Sequence, residues 1–224
     1  MKIDRLFKFA AALLFAGLLT SFTGCAKRGY HTGERTATNL QAMATKVEMA
    51  GRQMDIAVTE LDSLVNSPQP DLRPQFDRFS AAVGQLSTLA TNLAKAGTEL
   101  QSRSRLHAES WDKELVAIQN EEIRASAKAR KQEVASRFEN VRAACQSVQT
   151  AIGPVQSDLL DVQRYLNSDL TMGGLSAIKD TATRVGRNAG PARESVTKLV
   201  TELRGLGVAM APQNSAAPAP AAVK

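Results

Sequence analysis

Residues 40–64 read LQAMATKVEMAGRQMDIAVTELDSL. Leu40, Val47, Met54 and Leu61 recur every seven residues, and Met43, Ala50, Ala57 and Leu64 form a second row three residues further on. Two rows at that offset run along one side of an α-helix, and that side must be buried against another helix. Methionine in such a row fills a core more often than it presents a ligand surface. The helix is expected from Thr38 to Val65 and ends in the segment Asn66 to Pro74, where Pro68, Pro70 and Pro74 cannot continue it.

The same pattern recurs downstream. A second helix is expected from Pro74 to Gln119, with Phe79, Leu86, Leu93 and Leu100 in one row and Phe76, Val83, Ala90 and Gly97 in the other. The small residues late in the second row allow close approach of a neighbouring helix. Asn120 followed by Glu121 and Glu122 reads as an N-cap with an acidic first turn, so a turn is placed there; one uninterrupted helix is the alternative. A third helix is expected from Glu121 to Leu166, carrying Ala127, Val134, Val141, Val148 and Val155 beside Phe138, Cys145, Ile152 and Leu159, with a kink at Gly153-Pro154. A fourth is expected from Leu175 to Leu206, with Ile178, Val185, Ala192 and Leu199 beside Ala182, Ala189, Val196 and Leu203; Gly190-Pro191 is expected to bend it. The Ala/Pro tail, residues 207–224, reads as disordered.

Together these readings predict an all-α fold, an antiparallel long-helix bundle. Turns near residues 69, 120 and 171 bring the start of the first helix, residue 100, residue 140 and the end of the fourth helix to one level. The expected shape is a four-helix base roughly 45 Å long at 1.5 Å per residue. Residues 101–139 would continue beyond it as a two-helix coiled-coil tip, roughly 30 Å longer.

Upstream, Met1 to Lys8 carries Lys2, Arg5 and Lys8, and an apolar run from Phe9 to Leu19 follows. This is the charged and hydrophobic pattern of a secretory signal, too short for the roughly 20 apolar residues that span a bilayer. Phe22-Thr23-Gly24-Cys25 then resembles the lipobox of bacterial lipoproteins, with Phe22 in place of the usual aliphatic residue. That resemblance implies a signal peptide over residues 1–24 and lipidation, by diacylglycerol and a further chain such as palmitate, at Cys25. Two or three acyl chains suffice for stable anchoring. Ala26 rather than Asp after the cysteine implies the periplasmic face of the outer membrane rather than retention at the inner one. The alternative is an ordinary signal cleaved nearby, which releases a soluble periplasmic protein. Residues 25–37, with Gly29 and Gly33, read as the lipidated cysteine and a flexible tether.

Composition narrows the function. Aromatics are 4% of the chain, which suits thin helical layers rather than a thick core. The formal charge of +6 is spread among both signs without a basic stripe and stacking aromatics, so no nucleic acid is expected as a partner. The two histidines, His31 and His107, and the two cysteines form no zinc spacing, and no glycine-rich loop follows a strand. No catalytic residue, metal or cofactor is therefore expected, and the chain is read as non-enzymatic. With Cys25 acylated, Cys145 has no partner for a disulfide and reads as a small buried hydrophobe.

Three residues stand out as speculative partner-binding positions. Trp111, the only tryptophan, falls where two helices alone would cover it, and aromatic anchors are common at binding hot spots. The competing reading is that Trp111 plugs the hairpin core against Ile123 and Ala127. Arg124 and Arg130 belong to a cationic series that is otherwise a solvated face.

From Trp111 onward the chain resembles an uncharacterised family of Gram-negative envelope proteins, domain of unknown function 2959. The matching stretches are Trp111-Asp112-Lys113-Glu114-Leu115, Asn120 with Ile123-Arg124 and Ser126, and Pro154-Val155 with Asp161 and Tyr165-Leu166. The family's Lys-His-Asn run after the third helix is replaced by Asn167-Ser168-Asp169. The resemblance implies a lipobox and long helices, and no activity. A lipid-anchored periplasmic scaffold or adaptor with a protein partner of unknown identity is expected, and a lipid- or amphiphile-binding protein whose helices open is the alternative. Heptad rows serve pairing between copies equally well, so a homo-oligomer stays open.

Overall fold

The computed structural model describes residues 26–211, with side chains from Gly33 onward. Four long helices carry the fold: α1 (Ala26–Asn66), α2 (Arg73–Ala117), α3 (Glu121–Ser168) and α5 (Lys179–Met210), with a short α4 (Met172–Ala177) before the last. α1 packs on α2 and α5, α3 packs on the same two helices, and neither diagonal pair meets closely. Each neighbouring pair is thus antiparallel in an up-down-up-down square, as the expected turns require. α4 touches α1, α3 and α5 at the end where the proline-rich turn lies.

The apolar rows of α1 account for its place. Leu40, Val47, Met54, Leu61, Met43, Ala50, Ala57 and Leu64 are all buried. Burial of a Leu, Val or Met side chain is worth about 1.5–3 kcal/mol, and no other term in this bundle is as large. Ion pairs between helices are exposed by comparison. Arg184 grips Asp158 with two bonds of 2.9 Å, Arg204 meets Glu48 at 2.8 Å, Arg193 meets Asp55 at 2.6 Å and Arg78 meets Glu60 at 3.1 Å. Pairs of this kind contribute about 0–1 kcal/mol each and set register rather than stability.

The turns are built by side chains. Gln75 is buried in the first turn, where its Oε1 accepts from the Gln69 N–H at 2.9 Å and its Nε2 donates to the carbonyls of Ser67 at 3.1 Å and Ser63 at 3.3 Å. Asn120 does cap α3, its Oδ1 accepting from the N–H groups of Glu122 and Ile123 at 3.0 Å each, so the chain turns there. In the third turn the Thr171 hydroxyl donates to Asp169 at 2.7 Å and accepts from the Gly174 N–H at 3.1 Å. Gly174 is required, since a Cβ there would lie 2.1 Å from the Asp169 carbonyl oxygen. Both α3 and α5 run on through their internal Pro154 and Pro191.

Three boundaries differ from expectation. α1 starts at Ala26, so residues 26–37, read as a tether, are helical. Once a helix is nucleated, each further residue adds a hydrogen bond, and the glycines cost only about 1 kcal/mol apiece. Gly33 also lies against the end of α5, where its Cβ would meet the Met210 carbonyl at 3.2 Å. α5 continues to Met210, so residues 207–210 of the expected tail are ordered, and Gly207 is buried beside Leu40 and Gln41. The last helix also begins earlier than Leu175, at Met172, and is divided at Ile178. Because α1 and α5 are longer than expected, the four-helix part reaches Arg130 on α3, and the tip is shorter than residues 101–139. Residues 1–24, read above as a signal peptide, Cys25 and residues 212–224 lie outside the described residues.

Gly174→Ala is expected to lower stability by about 1–3 kcal/mol, because the new methyl group meets rigid backbone. Gly84→Ala, where a Cβ meets nothing within 4 Å, is expected to raise it by about 0.5–1 kcal/mol. Urea midpoints measured for both variants check the contrast. Gln75→Leu leaves the Gln69 N–H without its acceptor and is expected to cost about 1–3 kcal/mol in the same assay.

Candidate functional site

The residues singled out in the sequence are each occupied inside the molecule. Arg124 closes the end of α2: its Nε and Nη2 donate to the Ile118 carbonyl at 2.9 and 2.7 Å, and its Nη1 meets Glu121 at 2.8 Å. Arg130 closes the end of α5, where its Nη2 donates to the Ala209 carbonyl at 2.6 Å. Both cations thereby satisfy carbonyls that a helix C-terminus leaves free, and both oppose the negative end of the helix dipole. Glu133 receives Arg130 and Arg137 together, and those hydrogen bonds hold its carboxyl below the usual range. Trp111 packs partly buried against the core, edge-on to His107 with ring centroids 5.3 Å apart. Ile123 is 57% exposed. The three positions thus have three separate internal partners.

A different feature stands out on α2. Between Leu86 and Val134 no residue is fully buried, although four helices are present over part of that length. Here the structure holds a cavity of about 340 Å³, open to solvent on one side. Its floor is Met43 and Val47 of α1, Leu199 of α5, and Val148 and Ile152 of α3, all buried. Its rim is Thr91 and Ala94 of α2 facing Gln149 and Gly153 of α3, all exposed. The mouth is therefore the α2–α3 seam.

The physical cause lies in side-chain size. Gln163 bonds the Ser80 carbonyl, Gln156 bonds the Ser87 hydroxyl, and Lys131 bonds Asp112, so α2 and α3 hold one antiparallel register from base to tip. That register sets Ala90 opposite Gly153 and Ala94 opposite Gln149. Phe76 and Phe79 wedge the helices apart at the base, and His107, Trp111 and Phe138 do so toward the tip. A rigid helix held at both ends cannot sag inward between them, so the small residues leave space. Gly97 and Gly153 have nothing within 4 Å of where a Cβ would stand. The close approach that the small residues permit is not taken up at Gly97.

The space is open to solvent through its mouth, and its apolar walls offer entering water few partners. Cys145 lines the cavity half-buried, and burial pushes its thiol above the ordinary value. Among the described residues no three His, Cys, Asp or Glu side chains are grouped to hold a metal ion.

The chain matches the model of a family described as protein of unknown function (DUF2959) over residues 22–204. It belongs to that family. No curated protein matches the chain. The DUF2959 match is wider than the resemblance read from Trp111 onward: it takes in Cys25, the whole of α1 to α4 and every residue of the cavity. It also takes in Asn167-Ser168-Asp169, where this DUF2959 chain uses Asp169 to accept from Thr171 and from the Tyr165 hydroxyl at 3.3 Å.

His107 gives a pH dependence that can be measured. Its imidazole is half-buried between Trp111 and Phe138, and burial pushes its pKa below the ordinary 6.5. The unfolded chain therefore takes up the proton first. Stability is complete above about pH 6.5 and is lost as pH falls through that value toward the folded pKa. Thermal melting between pH 7.5 and 5.5 is expected to fall more steeply for the parent than for His107→Gln.

Proposed function

We propose that this DUF2959 protein is a non-enzymatic helical scaffold or adaptor, anchored by lipid at Cys25 to the periplasmic face of the outer membrane. The observation that carries the reading is Phe22-Thr23-Gly24-Cys25 directly after a charged and apolar leader, followed at once by a helix from Ala26. In this reading the acyl chains join the bundle without a flexible spacer. The rod then stands at a set height from the membrane, with its tip beyond α1 and its base at the proline-rich turn. No helix among the described residues is long and apolar enough to cross a membrane. A protein partner would meet the exposed faces of the helices. Met49 and Ile56, a heptad apart on α1 and 47% and 49% exposed, are apolar candidates for that contact.

Labelling with radioactive palmitate in cells is expected to mark the parent and not Cys25→Ser. Fractionation should move the variant from membrane to soluble periplasm. A Cys25→Ser protein that stays membrane-bound like the parent would reject the anchor.

A second reading, an envelope protein that binds an amphiphile, is favoured by the cavity on the α2–α3 seam. It needs no wholesale opening of the bundle, since the space is already open to solvent.

A further inference from the structure

α1 and α3 run in the same direction, and both start toward the tip end of the rod. Two contacts with the end of α5 fix their relative height. A Cβ at Gly33 would lie 3.2 Å from the Met210 carbonyl oxygen, and Arg130 donates to the Ala209 carbonyl at 2.6 Å. Gly33 and Arg130 thus stand near one level. From Gly33 back to Ala26, α1 rises about 10 Å at 1.5 Å per residue, and from Arg130 back to Glu121, α3 rises about 14 Å. The first residue of α1 therefore stops about 4 Å short of the start of α3 and of the turn before it, residues 118–120.

That turn is apolar on both flanks. Val116, in the last turn of α2, is 81% exposed, more than any other large apolar side chain among the described residues, and Ile123 opens α3 beside it, also exposed. The backbone between them is satisfied from within. Arg124 donates to the Ile118 carbonyl, and Asn120 accepts from the N–H groups of Glu122 and Ile123. A turn whose polar backbone is already bonded loses less on leaving water. Between Glu109 and Lys131 five basic and five acidic side chains balance, so net charge neither draws this end to an anionic surface nor repels it.

We propose that the α2–α3 turn is a second membrane contact, at which Val116 and Ile123 enter the headgroup layer of the leaflet that holds the lipid on Cys25. The inference rests on the lipid anchor of the first functional reading and goes beyond it. Cys25 immediately precedes α1, so no spacer separates the acyl chains from the rod. In a diacylglyceryl cysteine the sulfur replaces the headgroup on the glycerol, at the inner edge of the headgroup layer. That layer is about 5–7 Å deep on each side of a bilayer. A turn about 4 Å beyond the start of α1 falls within it when the rod stands end-on. One lipidated residue is a pivot, and a second contact fixes the tilt. The rod then holds its proline-rich base away from the membrane by the length of α3, 48 residues or about 72 Å.

The test uses the full chain as cells process it, carrying Cys145→Ala and Gln119→Cys, with a nitrobenzoxadiazole label on the turn. Mass spectrometry first reads the acyl chains on Cys25. The protein is placed in vesicles of phosphatidylethanolamine and phosphatidylglycerol that contain phosphatidylcholine spin-labelled on its headgroup. That lipid is expected to quench the turn label about twofold more than a label at Gln69→Cys on the base, and aqueous iodide is expected to do the reverse. Val116→Asp/Ile123→Asp alters two exposed positions. It should keep a cooperative circular dichroism melt and the attachment through Cys25, while lipid quenching of the turn falls to the level of the base. Should the double variant melt without cooperativity, Val116→Asp alone carries the same expectation. Vesicles without phosphatidylglycerol are expected to give the same quenching as those with it. A turn label as open to iodide as the base label overturns the proposal. So does quenching undiminished in the folded variant, or quenching that needs the anionic lipid. Cys25 without acyl chains overturns the anchor and the turn contact together; with the chains present, the other results bear on the turn alone.

Discussion

Everything in this bundle hangs on the burial of one apolar strip, the side of α1 from Leu40 to Leu64. The strip faces α2 and α5 together, and both must run antiparallel to α1 to cover it with connections this short. α3 then fills the remaining corner, covered by the same two helices. Side chains such as Leu61, Phe79, Leu159 and Leu203 are essentially inaccessible, and burial of that kind outweighs every exposed ion pair on the surface. The charged pairs Arg184–Asp158 and Arg204–Glu48 therefore select which residues stand level with which, once the apolar strips have decided that the helices pack at all.

The same constraint produces the cavity. α2 is held by large side chains at its base and by an aromatic group toward its tip, while its middle carries alanine and glycine. Helices are stiff over such distances, so the spacing set at the two ends persists in between. A core of this kind trades stability for volume at one level, and it does so where the lining is apolar and the mouth faces solvent. The half-buried Cys145 and the flexible Met43 give that level its soft walls.

Charged residues at the helix ends serve a related purpose. Arg124 and Arg130 terminate α2 and α5 by donating to the last carbonyls, and Asn120 and Thr171 begin α3 and α4 by accepting from the first N–H groups. The bundle thus closes its own exposed backbone with side chains, and it places the ends of α1 and α5 together at the shoulder, where the chain leaves for its two termini.

Much of this was legible along the chain. The heptad rows named the buried side of α1, α3 and α5 almost residue by residue, because a helix has one period and the rows keep it. The turn at Asn120 could be read from a cap and two acids, since capping is chemistry between neighbours in sequence. The length of α1 could not be read: glycines at 29 and 33 suggest a flexible spacer until the end of α5 is seen beside Gly33. The work of Arg124 and Arg130 was hidden as well, because an arginine in a solvated series looks the same whether or not a carbonyl from another helix stands within reach. The cavity was the deepest omission. A row of small residues tells which side of a helix faces its neighbour, but the distance to that neighbour is set by larger side chains far away in the chain. Alanine and glycine fit a close crossing and a void equally well, and only the assembled helices choose between them.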